Sequence, residues 1–178
     1  MNHGLQPYQL EPRRRRRRRR DVEEIEGLDN IVAHEGEDIE WRKVNKEEWC
    51  QCGRCELMDT AVECLCCREI ENVRAKMNIG SENEMACILD HFEFEFVCLH
   101  PAVIRTALVA RTDIRRDSIV DPIPNETFRL QAYRQFTYWV HDRLGKAVRR
   151  VIPACVVNKI RKDFPSIDGN YVGFKEVE

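Results

Sequence analysis

The sequence predicts an α-rich α+β fold: a compact single domain with irregular cysteine loops, preceded by a disordered N-terminal tail. Three observations lead to this prediction. Apolar residues recur at helical spacing along the second half of the chain, six of the nine cysteines fall within 18 residues, and the first 48 residues are densely charged. The chain has 178 residues, 43% of them hydrophobic, which suits one globular domain with a tail. No run approaches the ~20 apolar residues of a membrane helix, so we expect no membrane span.

Residues 1–45 are predicted to form the disordered tail, and residues 46–178 the folded domain. An unbroken arginine run, Arg13–Arg20, gives residues 1–20 eight arginines against one glutamate, net +7. Residues 21–48 carry three basic and eleven acidic residues, net −8. Charge at this density repels itself and leaves too few apolar groups to order the chain. The run is typical of nuclear import or phosphate-backbone binding, and equally of a solvated tail.

The cysteines are expected to bind metal rather than to form disulfides. The N-terminus lacks the apolar stretch of a secretory signal, so we expect a cytoplasmic protein, or a nuclear one if the arginine run directs import. Thiols stay reduced in these compartments, and nine cysteines would leave one unpaired in a full disulfide set.

A knuckle of the form C-x-x-C, Cys52 to Cys55, opens the cysteine-rich segment, and Gly53 supplies its tight turn. A second cluster begins at Cys64, close enough to fold back onto the same metal. Four thiolates complete one tetrahedral zinc, so six to eight thiolates indicate two ions, with bridging sulfurs as one arrangement. Cys98 lies on an apolar helix and is expected to be a core thiol. The ligands predicted for the zinc ions are Cys50, Cys52, Cys55, Cys64, Cys66, Cys67, Cys87 and Cys155.

These predicted ligands are not equally placed. Cys87 and Cys155 are distant in sequence but lie at expected helix starts, from which they would complete the coordination. Cys50 and Cys64 are either outer ligands or spare thiols. No histidine has ligand spacing to the cysteines, and His91, His100 and His141 are expected at the surface or at helix caps. A site saturated by thiolates has no open position, so we expect a structural rather than a catalytic role.

The first predicted helix follows a capping box formed by Ser81 and Glu84. Its expected inward residues are Met85, Ile88, Leu89, Phe92, Phe96 and Leu99. The stretch from Phe92 to Phe96 alternates phenylalanine with glutamate as a strand would, but the longer 3.6-residue pattern favours a helix. Pro101 suits the first turn of the next helix, which should run through Arg111.

Two further helices are predicted after the break at Pro122 and Pro124. Asn125 should cap a helix that Gly145 stops, with an inward face of Phe128, Ala132, Phe136, Trp139, Val140 and Leu144. Pro153 should open the last helix, which places Val156, Ile160 and Phe164 inward. Residues 166–174 are predicted to form turns and one short strand, which is the β part of the fold class.

A basic surface is predicted on these two helices, because residues 129–162 hold nine lysines and arginines against one aspartate, net +8. If the helices pack antiparallel, their basic side chains converge and would contact phosphate, while a tyrosine stacks on a base. The alternative is an ordinary solvated helix face. The candidate nucleotide-binding residues are Arg129, Tyr133, Arg134, Lys159, Arg161 and Lys162. Phosphate-binding glycine loops of the P-loop and Rossmann types do not occur, and no catalytic triad or paired carboxylate site is identified, so we expect no enzyme.

Seven motifs in order along residues 49–174 resemble the cytoplasmic C-terminal, or ballast, domain of the P2X purinoceptor subtype seven family. They are Trp49-Cys50-x-Cys52-Gly53-x-Cys55, Cys66-Cys67, Cys87-Ile88, Ala132-Tyr133-Arg134, Ile152-Pro153-x-Cys155, Ile160-Arg161-Lys162-x-Phe164-Pro165 and Gly169-x-Tyr171-x-Gly173-Phe174. The resemblance implies a dinuclear zinc site and a guanine-nucleotide site, for GDP or GTP, on a compact α-rich fold. Its zinc ligands would be Cys50, Cys52, Cys55, Cys66, Cys67, Cys87 and Cys155, and Arg129 and Tyr133 fall in the nucleotide-binding segment. We expect the intracellular domain without its channel.

Two function hypotheses follow. The first is a non-enzymatic zinc-binding intracellular module that binds a guanine nucleotide or a protein partner. The alternative is a zinc-dependent nucleic-acid-binding protein that uses the arginine run and the basic helices, whose binding would weaken steeply with salt.

Overall fold

The computed structural model describes residues 39–79, 85–115, 118–145 and 148–174. The chain divides into two compact units, Met1–Asn30 and Ile31–Glu178, and every described residue lies in the second. The arginine run and the capping box predicted at positions 81–84 lie outside the described residues. Within the described ranges, no helix has the length and apolar character needed to cross a bilayer.

Helices connected by irregular loops make up the described structure. The α-helices are α1 (Lys46–Trp49), α2 (Glu71–Met77), α3 (Pro101–Arg115), α4 (Asn125–His141) and α5 (Ala154–Asp163). Short 3-10 helices span Glu40–Lys43, Ala61–Glu63 and Ile88–Asp90, and a π-helix spans Glu95–Leu99.

The core forms around α4, which contacts α2, α3, α5 and the π-helix. Its buried Phe136 meets Phe94 edge-on, with ring centroids 6.4 Å apart. Ile104 of α3 and Ile160 of α5 are fully buried in the described core. One continuous cluster joins these side chains to the cysteines, so the core and the thiol-rich loops fold as one body.

The predictions of α3, α4 and α5 are confirmed, with shifted ends for α4. Asn125 is the first residue of α4 rather than its cap, and its side-chain amide donates to the carbonyl of Pro165 at 3.3 Å. The helix ends at His141, before Gly145, because Asp142 adopts φ +53° and turns the backbone into the left-handed region. The last helix begins after Pro153 and buries Val156 and Ile160, as predicted.

The single helix predicted through Leu99 is wrong. Residues 88–90 and 95–99 are separate helical turns, and the chain bends between them at His91. His91 is 2% exposed rather than at the surface, and its ring packs edge-on against Trp139 with centroids 4.9 Å apart. Burying this ring turns the segment, so Phe94 enters the core while Phe92 and Phe96 stay 67% and 66% exposed.

The β part of the predicted fold class is not supported, because no strand occurs in the described ranges of the chain. The backbone of the last segment bonds to side chains instead of to a neighbouring strand. Ser166 N donates to the Tyr171 hydroxyl at 3.3 Å, and Asn170 N donates to the Asp168 carboxylate at 3.1 Å. Phe174 N donates to Glu63 Oε1 at 2.9 Å. These turns leave no row of backbone groups for pairing.

Candidate metal centre

The knuckle from Cys52 to Cys55, together with Cys50 before it, is positioned by the short helix α1. Asn45 caps α1 by accepting from Glu47 N at 3.1 Å, and the buried Trp49 donates its indole N–H to the carbonyl of Arg42 at 2.8 Å. Gly53 then takes φ +73°, which a residue with a Cβ adopts only with strain. This turn directs Cys52 and Cys55 to the same point, with their sulfurs 3.6 Å apart.

The turn at Cys66 and Cys67 is held against the 3-10 helix Glu40–Lys43 by an ion pair. Arg42 Nη2 lies 2.7 Å from Glu69 Oε2, and Arg42 Nη1 donates to the carbonyl of Cys64 at 2.9 Å. The same Glu69 carboxylate accepts from Cys66 N at 2.8 Å. The carboxylate therefore fixes the backbone where the two adjacent cysteines diverge.

Two distant segments complete the cluster. Ala154 N donates to the carbonyl of Leu65 at 2.9 Å, which docks the start of α5 on the cysteine loop and brings in Cys155. The Arg68 side chain donates to the carbonyls of Met85 and Ala86, which brings in Cys87.

The structure groups seven of the eight sequence-predicted ligands into two sets of four thiols. In each set the four sulfurs lie within 4.8 Å of one another. The first set is Cys50, Cys52, Cys55 and Cys66, and the second is Cys52, Cys67, Cys87 and Cys155. Cys52 belongs to both sets. Its sulfur would therefore be the ligand shared by two adjacent metal sites.

The sulfur spacing fits tetrahedral zinc. Four thiolates placed ~2.3 Å from a zinc ion define a tetrahedron with edges of about 3.8 Å. The separations of Cys50 from Cys52 and of Cys67 from Cys87 are both 3.9 Å. These two separations therefore match the edges of a tetrahedral zinc–thiolate site.

Hydrogen bonds among the thiols shift their pKa values in opposite directions. Bonds from Cys155 and then Cys55 lower the pKa of the Cys52 thiol, because they stabilise its thiolate. The interaction with Cys52 raises the pKa of the Cys155 thiol. The cluster therefore combines a thiol whose ionised form is favoured, Cys52, with one whose protonated form is favoured, Cys155.

Two buried thiols lie outside both sets. Cys64, the eighth predicted ligand, accepts from Met58 N at 3.4 Å and so bonds to backbone. Cys98 packs in the core, where the sequence places it, and burial raises the pKa of its thiol to about 12.

The structure brings three of the six predicted nucleotide-binding residues together. Arg129 is buried and donates to the carbonyl of Phe164 at 3.0 Å. The guanidinium groups of Arg129 and Arg161 lie 4.9 Å and 4.5 Å from the ring of Tyr171. Tyr133 is in hydrogen-bond contact with Arg161, and burial raises the pKa of its phenol.

The remaining three predicted residues have other surroundings. Lys159 lies 3.1 Å from Asp163 on its own helix, and Lys162 is exposed. Arg134 is half-buried on α4, and it does not line the cavity beside Tyr133.

A cavity of about 140 Å³ opens beside Tyr133 and Arg161. Sequence reasoning missed three of its neighbours: Glu63 and Arg150 on its wall, and Tyr171 beside Arg161. Glu63 is 5% exposed and its carboxylate would lie 2.9 Å from a Cβ at position 173, so Gly173 permits the close approach. The sequence signal that could have identified this wall was the Gly-x-Tyr-x-Gly-Phe motif, because its second glycine, Gly173, lies against the Glu63 carboxylate. The other lining residues are Val151, Ile152, Val157, Val172 and Phe174.

Comparison with known proteins gives consistent matches. Residues 5–175 match the sequence profile of a family described as P2X purinoreceptor 7 intracellular domain. The chain is 28% identical to P2X purinoceptor 7 of Rattus norvegicus over 139 residues, which cover 75% of this chain and 21% of the rat protein. It is 27% identical to P2X purinoceptor 7 of Mus musculus over 158 residues, 86% of this chain and 23% of the mouse protein. The chain thus spans less than a quarter of the length of these relatives.

Proposed function

Because the chain belongs to the P2X purinoreceptor 7 intracellular domain family, we propose that it is a non-catalytic cytoplasmic module organised by two zinc ions that share Cys52. The observation that carries the proposal is the pair of four-thiol sets with one common sulfur. Each ion would be held by four protein ligands, which leaves no open position for substrate or water. The zinc ions would therefore stabilise the fold and take no part in a reaction.

The charge of the proposed centre is compensated in part. Seven thiolates would surround the two ions, whose four positive charges would neutralise four of them and leave three. Backbone hydrogen bonds from Arg68 to Cys66 and from Leu89 to Cys87 favour the thiolate forms and disperse part of the remaining charge.

The proposed ions would join three segments that are far apart in sequence. The knuckle, the loop at Cys87 and the start of α5 at Cys155 each supply a thiol to the two sets, so bound metal would tie the three segments together. Structural zinc contributes ~10–16 kcal/mol of apparent binding energy in small zinc domains, and this energy becomes folding energy.

Native mass spectrometry of the full chain tests the zinc proposal. We expect the folded charge-state distribution to carry two zinc ions, and their removal by a chelator to produce the high charge states of an unfolded chain. A Cys98→Ala variant is the matched control, because this thiol is buried away from both sets and should leave two ions bound. A folded chain without zinc, or with one ion, would contradict the proposal.

A second proposed function is guanine-nucleotide binding in the cavity beside Tyr133. The specific observation that favours it is Arg161 Nε, a buried donor without a hydrogen-bond partner among the described residues. Buried donors are almost always bonded, so a ligand acceptor would satisfy this group. Arg150 lies on the same wall and would add charge for phosphate.

The base preference follows from Glu63. Guanine presents two donors, N1–H and the N2 amino group, on the edge where adenine presents an acceptor at N1. A carboxylate accepts from guanine at this edge and repels adenine N1. The apolar side chains of Ile152, Val157 and Phe174 would hold the faces of the base.

Calorimetric titration tests the nucleotide proposal. We expect GDP to bind at least about tenfold more tightly than ADP, because adenine brings an acceptor, N1, against the Glu63 carboxylate where guanine brings donors. An Arg161→Gln variant should lose about tenfold or more in GDP affinity. Lys162→Gln removes the same charge from the neighbouring, exposed position and should bind GDP normally. No heat with either GDP or GTP would contradict nucleotide binding, and equal binding of ADP would contradict the role of Glu63.

Nucleic-acid binding through the arginine run stays a prediction, because the run lies outside the described residues.

A further inference from the structure

A short strap of the chain, residues 172–174, forms part of the wall of the cavity beside Tyr133. All three residues of the strap line this cavity, and so does Glu63. The backbone N–H of Phe174 donates to Glu63 Oε1 at 2.9 Å. The strap therefore lies directly against the carboxylate that is proposed to select guanine.

Both oxygens of the Glu63 carboxylate already have donors. Thr60 Oγ1 donates to Glu63 Oε2 at 2.7 Å, and Thr60 does not line the cavity. On the cavity wall, Oε1 accepts from the backbone N–H of Phe174. A guanine edge would bring its own N–H donors to the same carboxylate. The strap amide therefore occupies an acceptor position that the base needs.

The strap is anchored at one end and exposed beyond it. The guanidinium groups of Arg129 and Arg161 lie over the ring of Tyr171, 4.9 and 4.5 Å from its centroid. The next residue, Val172, is 76% exposed. Residues 172–174 can therefore move away from the cavity while the Tyr171 ring stays in place.

The cavity is small for a nucleotide while the strap forms its wall. Its volume is about 140 Å³, whereas pockets for small ligands usually measure ~300–1,000 Å³. The strap supplies three of the ten residues that line the cavity, so its release would enlarge the space beside Glu63.

We propose that residues 172–174 are an autoinhibitory strap, which a guanine nucleotide displaces when it binds at Glu63. This inference rests on the nucleotide proposal above and adds its regulation. In the closed form the carboxylate pairs with the strap amide, and in the open form it pairs with the base. The observed affinity is then the intrinsic affinity reduced by the fraction of chains that are open.

A Gly173→Ala variant of the full, zinc-bound chain tests the strap. A Cβ at position 173 would lie 2.9 Å from Glu63 Oε2 and 3.1 Å from Oε1, closer than van der Waals contact. Glu63 is 5% exposed and is held by Thr60, so we expect the strap to move instead. Calorimetric titration should show GDP binding about tenfold more tightly than to the unmodified chain.

Gly145→Ala is the matched control for Gly173→Ala. Gly145 does not line the cavity, and a Cβ there would lie 3.4 Å from Val148 Cγ2, an ordinary contact distance. This variant should bind GDP with the affinity of the unmodified chain.

A second pair of variants isolates the hydrogen bond itself. Phe174→Pro removes the backbone N–H and cannot donate to Glu63, whereas Phe174→Ala keeps that N–H. Both variants remove the phenyl ring from the cavity wall, so their difference reports the donor. Phe174→Pro should bind GDP at least about fivefold more tightly than Phe174→Ala.

The outcomes separate the strap from the nucleotide site. Tighter binding by Gly173→Ala, and by Phe174→Pro relative to Phe174→Ala, supports the strap. Unchanged or weaker binding by Gly173→Ala, in a series whose unmodified chain binds GDP, overturns the strap and leaves the nucleotide site standing. Equal binding by the two variants at position 174 does the same. If neither the unmodified chain nor any variant binds GDP, the nucleotide proposal fails and the strap fails with it.

Discussion

A Cys52→Ala variant should lose both zinc ions and fail to fold, whereas alanine at any other ligand position should affect one ion directly. Removing the common thiol leaves three sulfurs at each proposed metal site at once. Structural zinc contributes ~10–16 kcal/mol per site, which matches or exceeds the whole stability of about 5–15 kcal/mol of a typical domain. We therefore expect fewer than one bound zinc per chain by native mass spectrometry and no cooperative thermal transition.

Two matched cysteine variants make the result specific. Cys50→Ala removes a ligand of the first set alone and should retain the ion held by Cys67, Cys87 and Cys155. Cys64→Ala removes a fully buried thiol that belongs to neither set and should retain both ions. A Cys52→Ala chain that still binds two zinc ions would show that the sulfur is not shared.

Phe94→Ala should destabilise the domain by about 3–5 kcal/mol, as expected for removal of a fully buried aromatic ring. Phe94 is 0% exposed and packs against Phe136 and Trp139, with ring centroids 6.4 and 6.2 Å away. The cavity left behind would open between α4 and the π-helix, where the surrounding rings have little freedom to collapse. Urea unfolding of the zinc-bound protein, followed by circular dichroism, measures the loss.

Phe96→Ala is the matched control for Phe94→Ala. Phe96 is 66% exposed and stacks on His100 with centroids 6.5 Å apart, so its removal should cost less than about 1 kcal/mol. A larger loss from Phe96→Ala than from Phe94→Ala would mean that the segment follows the continuous helix predicted from its sequence, which places Phe96 inward, and not the bend at His91.

Local sequence patterns were sufficient to predict a helix where one of its faces packs against the core. The spacing of Phe128, Ala132 and Phe136 predicted α4, and Pro153 predicted the start of α5, because these signals depend on residues within one or two turns. Between Phe92 and Phe96 the same reasoning failed. The alternating pattern fits a strand and the longer spacing fits a helix, and only the burial of His91 against Trp139 decides the actual bend.

The cysteine spacing predicted a thiol cluster but not its division. Cys50 and Cys64 looked equivalent in sequence, and the difference between them is a tertiary one: the sulfur of Cys64 accepts from Met58 N, whereas Cys50 lies in a four-thiol set. Glu63 was missed for a similar reason. Its role depends on Phe174, which is 111 residues away and has no local signature linking the two.

The two proposed zinc sites differ in how much of the chain must exist before they can form. The ligands of the first set lie between positions 50 and 66, whereas the second set needs Cys155 in addition to Cys52. During synthesis on the ribosome the first ion can therefore bind early, while the second must wait until α5 has emerged. The ion bound first would hold the shared sulfur of Cys52 in place for the second ion. A chain truncated before position 155 would retain only the ion of the first set.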